Sequence, residues 1–306
     1  MTQHDHETCY VLAIDLGSGG PKVALVADSG QIVASTRRTI ATHLVGERGV
    51  EQDPEEWWTT ISDAAQELTA RRLVPPERIV AVACTSQWSV TTPVDATGRA
   101  LSRAIHWMDG RGAPYTKAIT DGPIKISGYS IGRLVRWIRL TGGVPTHSGN
   151  DVLAHILFLK HERPDIYRQA AALLEPMDYI NLRLTGRAAA SQATIFPYLL
   201  TDNRRNPGIA YADSLLKMAG VDRSKLPELL PVGAILGTLR PEVAEAWGLT
   251  SQTEVVMGVC DSHAAVLGSG GVADFETHIC IGTSSWITCH VPFKRTNLFS
   301  YIATMP

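Results

Sequence analysis

Several signals of common protein classes are missing from this 306-residue sequence. No apolar run approaches the roughly 18 residues that a membrane span needs, and the polar N-terminus does not resemble a secretory signal. The net charge of −2 gives no electrostatic case for nucleic acid or an anionic membrane as partner. The five cysteines have no Cys-x-x-Cys spacing, and three lie in apolar runs where a small buried side chain is the usual role. We therefore expect a cytoplasmic protein that binds neither nucleic acid nor a membrane.

Two common nucleotide-binding motifs are also absent, although a glycine-rich turn lies near the N-terminus. Two apolar segments of Tyr10–Ala27 surround eight residues, from Asp15 to Lys22, that are predicted to form a turn. No Gly-Lys-Ser/Thr opens a helix there, as in a Walker loop, and the strand that follows excludes a Rossmann fingerprint. The glycines could direct N–H groups toward an anion, and Asp15 could hold a hydrated Mg²⁺. Glycine-rich turns between strands are common, so an ordinary hairpin stays the alternative.

The remaining sequence predicts an α/β protein with short buried strands. Asp53-Pro-Glu-Glu56 predicts a helix start, with Asp53 as N-cap and Glu56 completing a capping box. Trp57 is predicted to anchor that helix in the core. Buried strands are predicted over Ile79–Cys84 and Glu254–Val259, whereas residues 131–218 are predicted to be mostly helical.

Polar residues follow the predicted strands at four places. The positions are Asp15, Gln87 with Trp88, Asp109 and Asp261. In open α/β sheets, ligands bind beyond the carboxyl ends of the strands. The four placements together indicate a binding site more strongly than any one of them.

A second strand–turn–strand pattern, from His278 to Val291, is similar to the first. Its turn contains Gly282, Thr283 and Ser284. Two such turns that face each other could hold the phosphates of one nucleotide from both sides. That geometry would belong to a protein with two related domains and a cleft between them.

An ordered set of short motifs resembles the FGGY carbohydrate kinases, nearest to their xylulose-kinase-like branch. The resemblance implies the actin-like, ribonuclease-H-type α/β fold and transfer of the γ-phosphoryl group of ATP to a sugar or polyol hydroxyl. In chain order the motifs are Asp15-Leu-Gly-Ser18, Glu51-Gln-Asp-Pro-Glu-Glu-Trp57, Ser86-Gln-Trp88, Ala104-Ile-His-Trp-Met-Asp-Gly-Arg111, Pro176-Met-Asp-Tyr179, Leu182-Arg-Leu-Thr-Gly186, Val232-Gly-Ala-Ile-Leu-Gly237, Gly258-Val-Cys-Asp261 and Ile281-Gly-Thr-Ser284.

The resemblance implies a role for each matched position. Asp15 would hold Mg²⁺ through water, and Asp261 would be the base that accepts the hydroxyl proton. The sugar site would be lined by Gln87, Trp88 and Asp109. The phosphates of ATP would lie between two turns, formed by Gly17, Ser18, Gly19 and Lys22 and by Gly282, Thr283 and Ser284.

Simpler roles stay open for several of these residues. Asp261 could cap the helix that follows it, and Trp88 could belong to the core. Asp109 could pair with Arg111, and a local structural hydrogen bond is the expected role of His263.

The chain departs from the family pattern near the predicted sugar site. Trp88-Ser-Val90 stands where many pentulose kinases have Met-His-Gly, and Ser191 stands where many members have aspartate. Pro21 is unusual after the glycine turn. The resemblance therefore does not imply xylulose itself as the substrate.

We expect an N-terminal sugar-binding domain over residues 1–271 and the beginning of a nucleotide domain over residues 272–306. Only 35 residues follow Gly271, and a stretch below about 40 rarely builds its own core. The chain alone is therefore predicted to lack the adenosine pocket and kinase activity. A homodimer, or association with a missing C-terminal domain, is an expected partnership. An actin- or chaperone-like ATPase and a non-catalytic sugar-binding or regulatory module are the alternative functions.

Overall fold

The computed structural model describes residues 8–204, 208–281, 285–293, 295, 297 and 302–305. Short strands alternate with helices along these residues. The strands are β1 Tyr10–Gly17, β2 Gly20–Ala27, β3 Ile32–Arg37, β4 His43–Val45, β5 Gly49–Gln52, β6 Ile79–Ser86, β7 Thr92–Val94, β8 Ala104–Ile105, β9 Lys125–Ile126, β10 Tyr129–Ser130, β11 Ala172–Leu174, β12 Ala189–Ala190, β13 Glu228–Leu229, β14 Ile235–Thr238, β15 Glu254–Val256, β16 Thr277–Cys280 and β17 Trp286–Cys289.

The helices are concentrated between β8 and β15. They are α1 Pro54–Ala70, α2 Ala113–Thr120, α3 Ile131–Thr141, α4 Val152–Glu162, α5 Pro164–Gln169, α6 Pro176–Thr185, α7 Asp213–Ala219, α8 Pro241–Ala246 and α9 Asp261–Gly268, with 3₁₀ turns at Pro76–Arg78, Phe196–Tyr198 and Arg223–Lys225. In the part of the chain that the structure describes, no helix combines the length and the apolar character that a membrane crossing needs.

The main sheet has the strand order β14-β15-β6-β1-β2-β3. β1 and β6 are parallel, as are β6 and β15, whereas β1, β2 and β3 form an antiparallel meander. Parallel strands end at the same edge of a sheet. The carboxyl ends of β1, β6 and β15 therefore lie side by side, and the segments that follow them meet there.

The first hairpin is tighter than the sequence predicted. β1 and β2 pair from Tyr10 with Ala27 to Gly17 with Gly20, which leaves a turn of Ser18 and Gly19. The prediction of an eight-residue turn was wrong because Asp15 and Lys22 are paired opposite each other in the ladder. Of the three glycines, only Gly20 has a positive φ, and a Cβ there would lie 2.2 Å from the carbonyl oxygen of Arg38.

Helix α1 begins where the sequence predicted, but its capping differs in one bond. The Asp53 side chain accepts the N–H of Glu55 at 2.9 Å, which confirms the N-cap. The capping box was wrong, because the Glu56 carboxylate instead accepts the N–H of Ala41 at 3.1 Å. Trp57 is fully buried in the core between α1 and the sheet, as predicted.

The middle of the chain builds a second core around α4, whose side chains Leu153, Ile156 and Leu157 are almost fully buried. The mostly helical prediction overlooked β11, which pairs antiparallel with β7 outside the main sheet. β8 is also outside the main sheet, since it pairs with β5 in a small sheet of its own.

The second predicted hairpin forms from β16 and β17, which pair from Thr277 with Cys289 to Cys280 with Trp286. Its turn residues 282–284 lie outside the described residues. The apolar side chains of Ile279 and Ile287 are exposed, at 58% and 72% of their surface.

Candidate active site

The predicted site residues on three strands of the main sheet converge at its carboxyl edge. Asp15 on β1 lies in register with Thr85 on β6. The Thr85 hydroxyl donates to the carbonyl oxygen of Val259 at 2.7 Å, two residues before Asp261. The N–H of Gln87 donates to the carbonyl of Leu16 at 2.8 Å. The structure therefore brings Asp15, Gln87 and Asp261 to one place.

Gly258 allows the segment that carries Asp261 to lie against β6. A Cβ at this position would be 2.1 Å from the carbonyl oxygen of Cys84. Any side chain would therefore push the chain away from the sheet. The backbone then enters α9 with Cys260 as N-cap and Asp261 as its first residue, so Asp261 is not a plain N-cap.

The carboxyl group of Asp261 lies in a partly buried place near a second carboxylate. Burial and the nearby negative charge of Asp15 raise its pKa, while the N–H of Ser262 and the charge of Lys22 act in the opposite direction. The Ser262 N–H donates to Asp261 Oδ1 at 2.7 Å. A carboxylate with a raised pKa is a better proton acceptor. We call Asp15, Lys22 and Asp261 the carboxylate edge.

Asp15 and Lys22 form the only bonded pair within the carboxylate edge that the described residues show. Lys22 Nζ lies 2.8 Å from Asp15 Oδ2, and the two side chains are 67% and 36% exposed. In the described parts of the chain, no group of three or more His, Cys, Asp and Glu side chains could hold a metal ion. Mg²⁺ nevertheless needs only one or two carboxylates beside water and phosphate, so Asp15 fits that ion.

A closed hydrogen-bond network lies directly beside the carboxylate edge. Ser18 Oγ donates to Gln87 Oε1 at 2.8 Å and accepts the indole N–H of Trp107 at 3.0 Å. Gln87 Nε2 donates to Gln52 Oε1 at 2.7 Å, and Gln52 Nε2 donates to the carbonyl of Ser18 at 2.9 Å. His106 Nε2 lies 3.0 Å from Gln87 Oε1. We call Ser18, Gln52, Gln87 and His106 the amide network.

The hydrogen bonds of His106 indicate which ring nitrogen carries the proton. The N–H of Met108 points at His106 Nδ1 at 3.3 Å, so Nδ1 is the acceptor and Nε2 carries the hydrogen that Gln87 accepts. Burial lowers the pKa of His106 to about 4, against the charge of Asp109. The imidazole is therefore neutral near pH 7, and the network connects the glycine turn to the end of β6 without a charge.

Asp109 forms the ion pair that the sequence left open as its alternative role. It is fully buried, and its Oδ2 accepts the N–H of Val50 at 2.9 Å and lies 2.7 Å from Arg111 Nη2. Arg111 Nη2 also lies 2.7 Å from Glu51 Oε1. Asp109 therefore joins β5 to the loop after β8. A contact between Asp109 and a sugar stays a prediction.

Trp88 lies between the segment after β12 and the start of α9. Its indole N–H donates to the carbonyl of Thr194 at 2.7 Å, and its ring stacks on Phe196 with centroids 5.8 Å apart. The His263 ring meets it edge-on at 6.4 Å. His263 Nδ1 is 2.8 Å from Cys260 Sγ, which confirms the predicted local hydrogen bond. Trp88 is only half-buried, so part of its surface is open.

The sequence model of the FGGY family of carbohydrate kinases, N-terminal domain, matches residues 10–268. The chain belongs to this family. It is 29% identical over 283 residues to the xylulose kinase of Escherichia coli (strain K12), which covers 89% of this chain and 52% of that protein. The chain therefore spans about half the length of the curated relatives it matches.

Two solved structures share the fold of this FGGY-family chain. The gluconate kinase from Lactobacillus acidophilus matches with a TM-score of 0.84 and 19% identity, over 98% of this chain and 58% of that one. The xylulose kinase from Rhodospirillum rubrum matches with a TM-score of 0.84 and 20% identity, over 95% and 57%. The predicted actin-like, ribonuclease-H-type fold is confirmed.

The sequence overlooked three residues that bond to the predicted site residues or to the loop beside them. Gln52 and Trp107 lie within quoted motifs but received no role. Glu175 directly follows β11, so the pattern of a polar residue after a strand would have identified it had that strand been recognised. At the second phosphate turn, Gly282, Thr283 and Ser284 lie outside the described residues.

Proposed function

We propose that the chain is the acceptor-binding half of a carbohydrate kinase that transfers the γ-phosphoryl group of ATP to a hydroxyl of a sugar or polyol. The observation that carries this proposal is the pairing of an open carboxylate, Asp15, with a partly buried one of raised pKa, Asp261, at the carboxyl edge of the sheet. Family membership supports the same reaction class. The reaction is proposed for the whole kinase, since these residues span about half of their relatives.

In the proposed reaction, Asp261 accepts the proton of the acceptor hydroxyl. The hydroxyl oxygen then bonds to the γ-phosphorus, the bond to the bridging oxygen breaks, and ADP leaves. Phosphoryl transfer depends on alignment and charge neutralisation, so one carboxylate is a sufficient base. Mg²⁺ would supply the neutralisation of phosphate charge when bound. Asp15 would hold it through water.

The proposed acceptor site uses the open face of Trp88 as a flat apolar wall. Gln87 and Asp109 are proposed to line the polar side. Their present bonds hold the end of β6 and the loop after β8 in place, which supports a rigid pocket. Closure of a second domain over this side would exclude water as a competing acceptor.

The proposed phosphate site includes the turn of Gly17, Ser18 and Gly19 together with Lys22. Lys22 is mostly exposed, so its ammonium group can exchange Asp15 for a phosphate oxygen. The turn at 282–284 is proposed as the second clamp. We further propose that residues 1–271 form the sugar-binding domain and that residues 272–306 begin the nucleotide domain. The exposed apolar side chains of β16 and β17 support a partner domain there, supplied by the rest of the kinase.

Calorimetry with a panel of free sugars and polyols, including xylulose and gluconate, tests this proposal. The 306-residue chain is expected to bind at least one of them and to show no turnover with ATP. Asp261→Asn should keep the affinity within about threefold, because the amide retains the shape of the site. In the complete kinase the same change should lower kcat by about 10²- to 10⁴-fold, the usual contribution of a general base.

Three outcomes contradict the proposed function. ATP hydrolysis without binding of any sugar would indicate an actin- or chaperone-like ATPase. Unchanged turnover of the Asp261→Asn kinase would show that Asp261 is not the base. Sugar binding without turnover in the complete protein would leave a non-catalytic sugar-binding module.

A further inference from the structure

We propose that Glu175 and Asp178, two buried carboxyl groups about one helical turn apart, position the loop Trp88–Val90 at the acceptor side of the site. Both residues lie at the N-terminal end of α6, Glu175 as its N-cap and Asp178 within its first turn. Their effect on sugar binding rests on the proposed function, whereas their effect on the loop does not.

Glu175 holds the backbone of the loop. It is 1% exposed, and its Oε2 accepts the N–H of Val90 at 3.0 Å. The preceding residue, Ser89, has a φ of +63°, a left-handed conformation that few residues other than glycine adopt. The Ser89 hydroxyl donates to the carbonyl of Asn150 at 2.9 Å. A strained residue persists only when its surroundings hold it, and Glu175 is one of these two supports.

Asp178 supports the Trp88 side chain, at the other end of the loop, through Thr194. It is 0% exposed, and its Oδ2 accepts the hydroxyl of Thr194 at 3.3 Å. The carbonyl of the same threonine accepts the indole N–H of Trp88 at 2.7 Å. The Thr194 hydroxyl also bonds to the backbone of Ser191, so the threonine has little freedom to move. Asp178 and the backbone of Ser191 together therefore hold the threonine whose carbonyl binds the indole ring.

The environment of both carboxyl groups favours their neutral form. Burial raises the pKa of Glu175 well above its usual value, and the nearby carboxyl groups of Asp178 and Asp261 act in the same direction, whereas the N–H groups of Val90 and Ser89 act against it. Burial also raises the pKa of Asp178 well above its usual value. Among the described residues, Glu175 Oε1 and Asp178 Oδ1 have no hydrogen-bond partner, so each carboxyl group lacks the further bonds that would stabilise a buried charge. Neutral groups can support the loop without adding charge beside the base.

These supports converge on the loop that departs from the pentulose-kinase pattern. Trp88 supplies the proposed wall of the acceptor site, and its ring contacts His263 beside Asp261. A shift of the ring would change the space between the wall and the base. Glu175 and Asp178 are positioning residues in this proposal, since neither is proposed to touch the sugar.

The test compares Glu175→Gln with Glu175→Leu in the 306-residue chain, using the indole N–H signal of Trp88 in a ¹⁵N-correlated spectrum, assigned with Trp88→Phe. Glutamine keeps an acceptor for the Val90 N–H and has the neutral charge, so the signal should stay in place. Leucine removes the acceptor, so the signal should shift or broaden while those of Trp57 and Trp137 stay. Sugar affinity should weaken at least about tenfold for leucine and less than about threefold for glutamine.

A second variant, Thr194→Val, tests the link through the Thr194 hydroxyl, which bonds to Asp178 and to the backbone of Ser191, and it serves if Glu175→Leu does not fold. It removes the hydroxyl that Asp178 accepts and keeps the carbonyl, so a shift of the Trp88 signal is expected. Folded leucine and valine variants with an unchanged Trp88 signal would overturn the proposal, as would a shift in Glu175→Gln equal to that in Glu175→Leu. If the wild type binds no sugar, the proposed function fails, and the Trp88 signal still decides this proposal.

Discussion

The amide network and the carboxylate edge lie next to each other and meet in the first hairpin, yet they are built in opposite ways. In the network, Gln87 is buried and both ends of its side-chain amide are hydrogen-bonded. At the edge, Asp15 and Lys22 are open to solvent, and the charge of Asp15 raises the pKa of Asp261. The network has the satisfied bonds of a structural element, and the edge has the open charges that the proposed reaction needs.

This difference follows from the free-energy cost of burying an amide and of placing two carboxylates near each other. A buried amide is stable only when its partners are present, so the network must be complete before any ligand arrives. Two carboxylates near each other repel and reduce stability, and a cation or a transferred proton relieves the repulsion. Substitutions in the network should therefore change the free energy of unfolding, and substitutions at the edge should change binding and turnover.

The largest expected effect on stability comes from Gln87→Leu. The hydroxyl of Ser18 and the imidazole N–H of His106 would each lose their acceptor, whereas the amide oxygen of Gln52 would keep the indole N–H of Trp57. At about 1–3 kcal/mol for each of the two groups, partly offset by rearrangement, the free energy of unfolding should fall by about 2–4 kcal/mol. Urea denaturation measures this loss.

The exposed Gln252 provides the matched control, since Gln252→Leu should change the free energy of unfolding by less than about 0.5 kcal/mol. If Gln87→Leu costs no more than this control, the network does not stabilise the fold and the comparison between the two regions fails.

A smaller effect on stability is expected from the protonation of His106, which occurs more readily in the unfolded chain than in the folded protein. Its pKa is lowered from 6.5 to about 4 in the folded protein, so between these values the unfolded chain binds more protons. Stability should therefore fall as the pH decreases from 6.5 toward 4. At pH 4.5 the contribution is about 2–3 kcal/mol, which His106→Gln should remove from the difference in unfolding free energy between pH 7 and pH 4.5.

The pH comparison needs a histidine outside the network as its control. His161 is exposed, and His161→Gln serves as the same chemical change at the surface. Equal pH dependence of His106→Gln and the wild type would show that His106 accepts a proton in the folded state, contrary to a closed network.

The smallest effect on stability is expected at the carboxylate edge. The Asp15–Lys22 pair is solvent-exposed, so Lys22→Met should change the free energy of unfolding by less than about 1 kcal/mol. The same denaturation experiment measures it. A loss above about 2 kcal/mol would show that the edge is structural like the network, and it would remove the distinction drawn here.

The sequence predicted the parts of this site that depend on local pattern. The two short apolar segments that form β1 and β2, the N-cap at Asp53 and the placement of Gln87 and Asp261 after strands are all visible in short segments. Glu175 was overlooked because the three residues of β11 are too few to interrupt the helical pattern around them. The bond between Asp178 and Thr194 spans 16 residues, and no local pattern predicts it.

The amino-acid sequence by itself determined the family, several of the strands and the candidate residues for chemistry, because these depend on motifs and on side-chain periodicity. Only the tertiary structure decided which of those side chains are held by hydrogen bonds and which are left open to a ligand. Asp109 and Asp261 both follow strands, yet Asp109 is fully buried and accepts the N–H of Val50 from β5, whereas burial and the charge of Asp15 raise the pKa of Asp261. The physical reason is that charge and hydrogen-bond partners come from distant segments, and burial determines how strongly each partner counts.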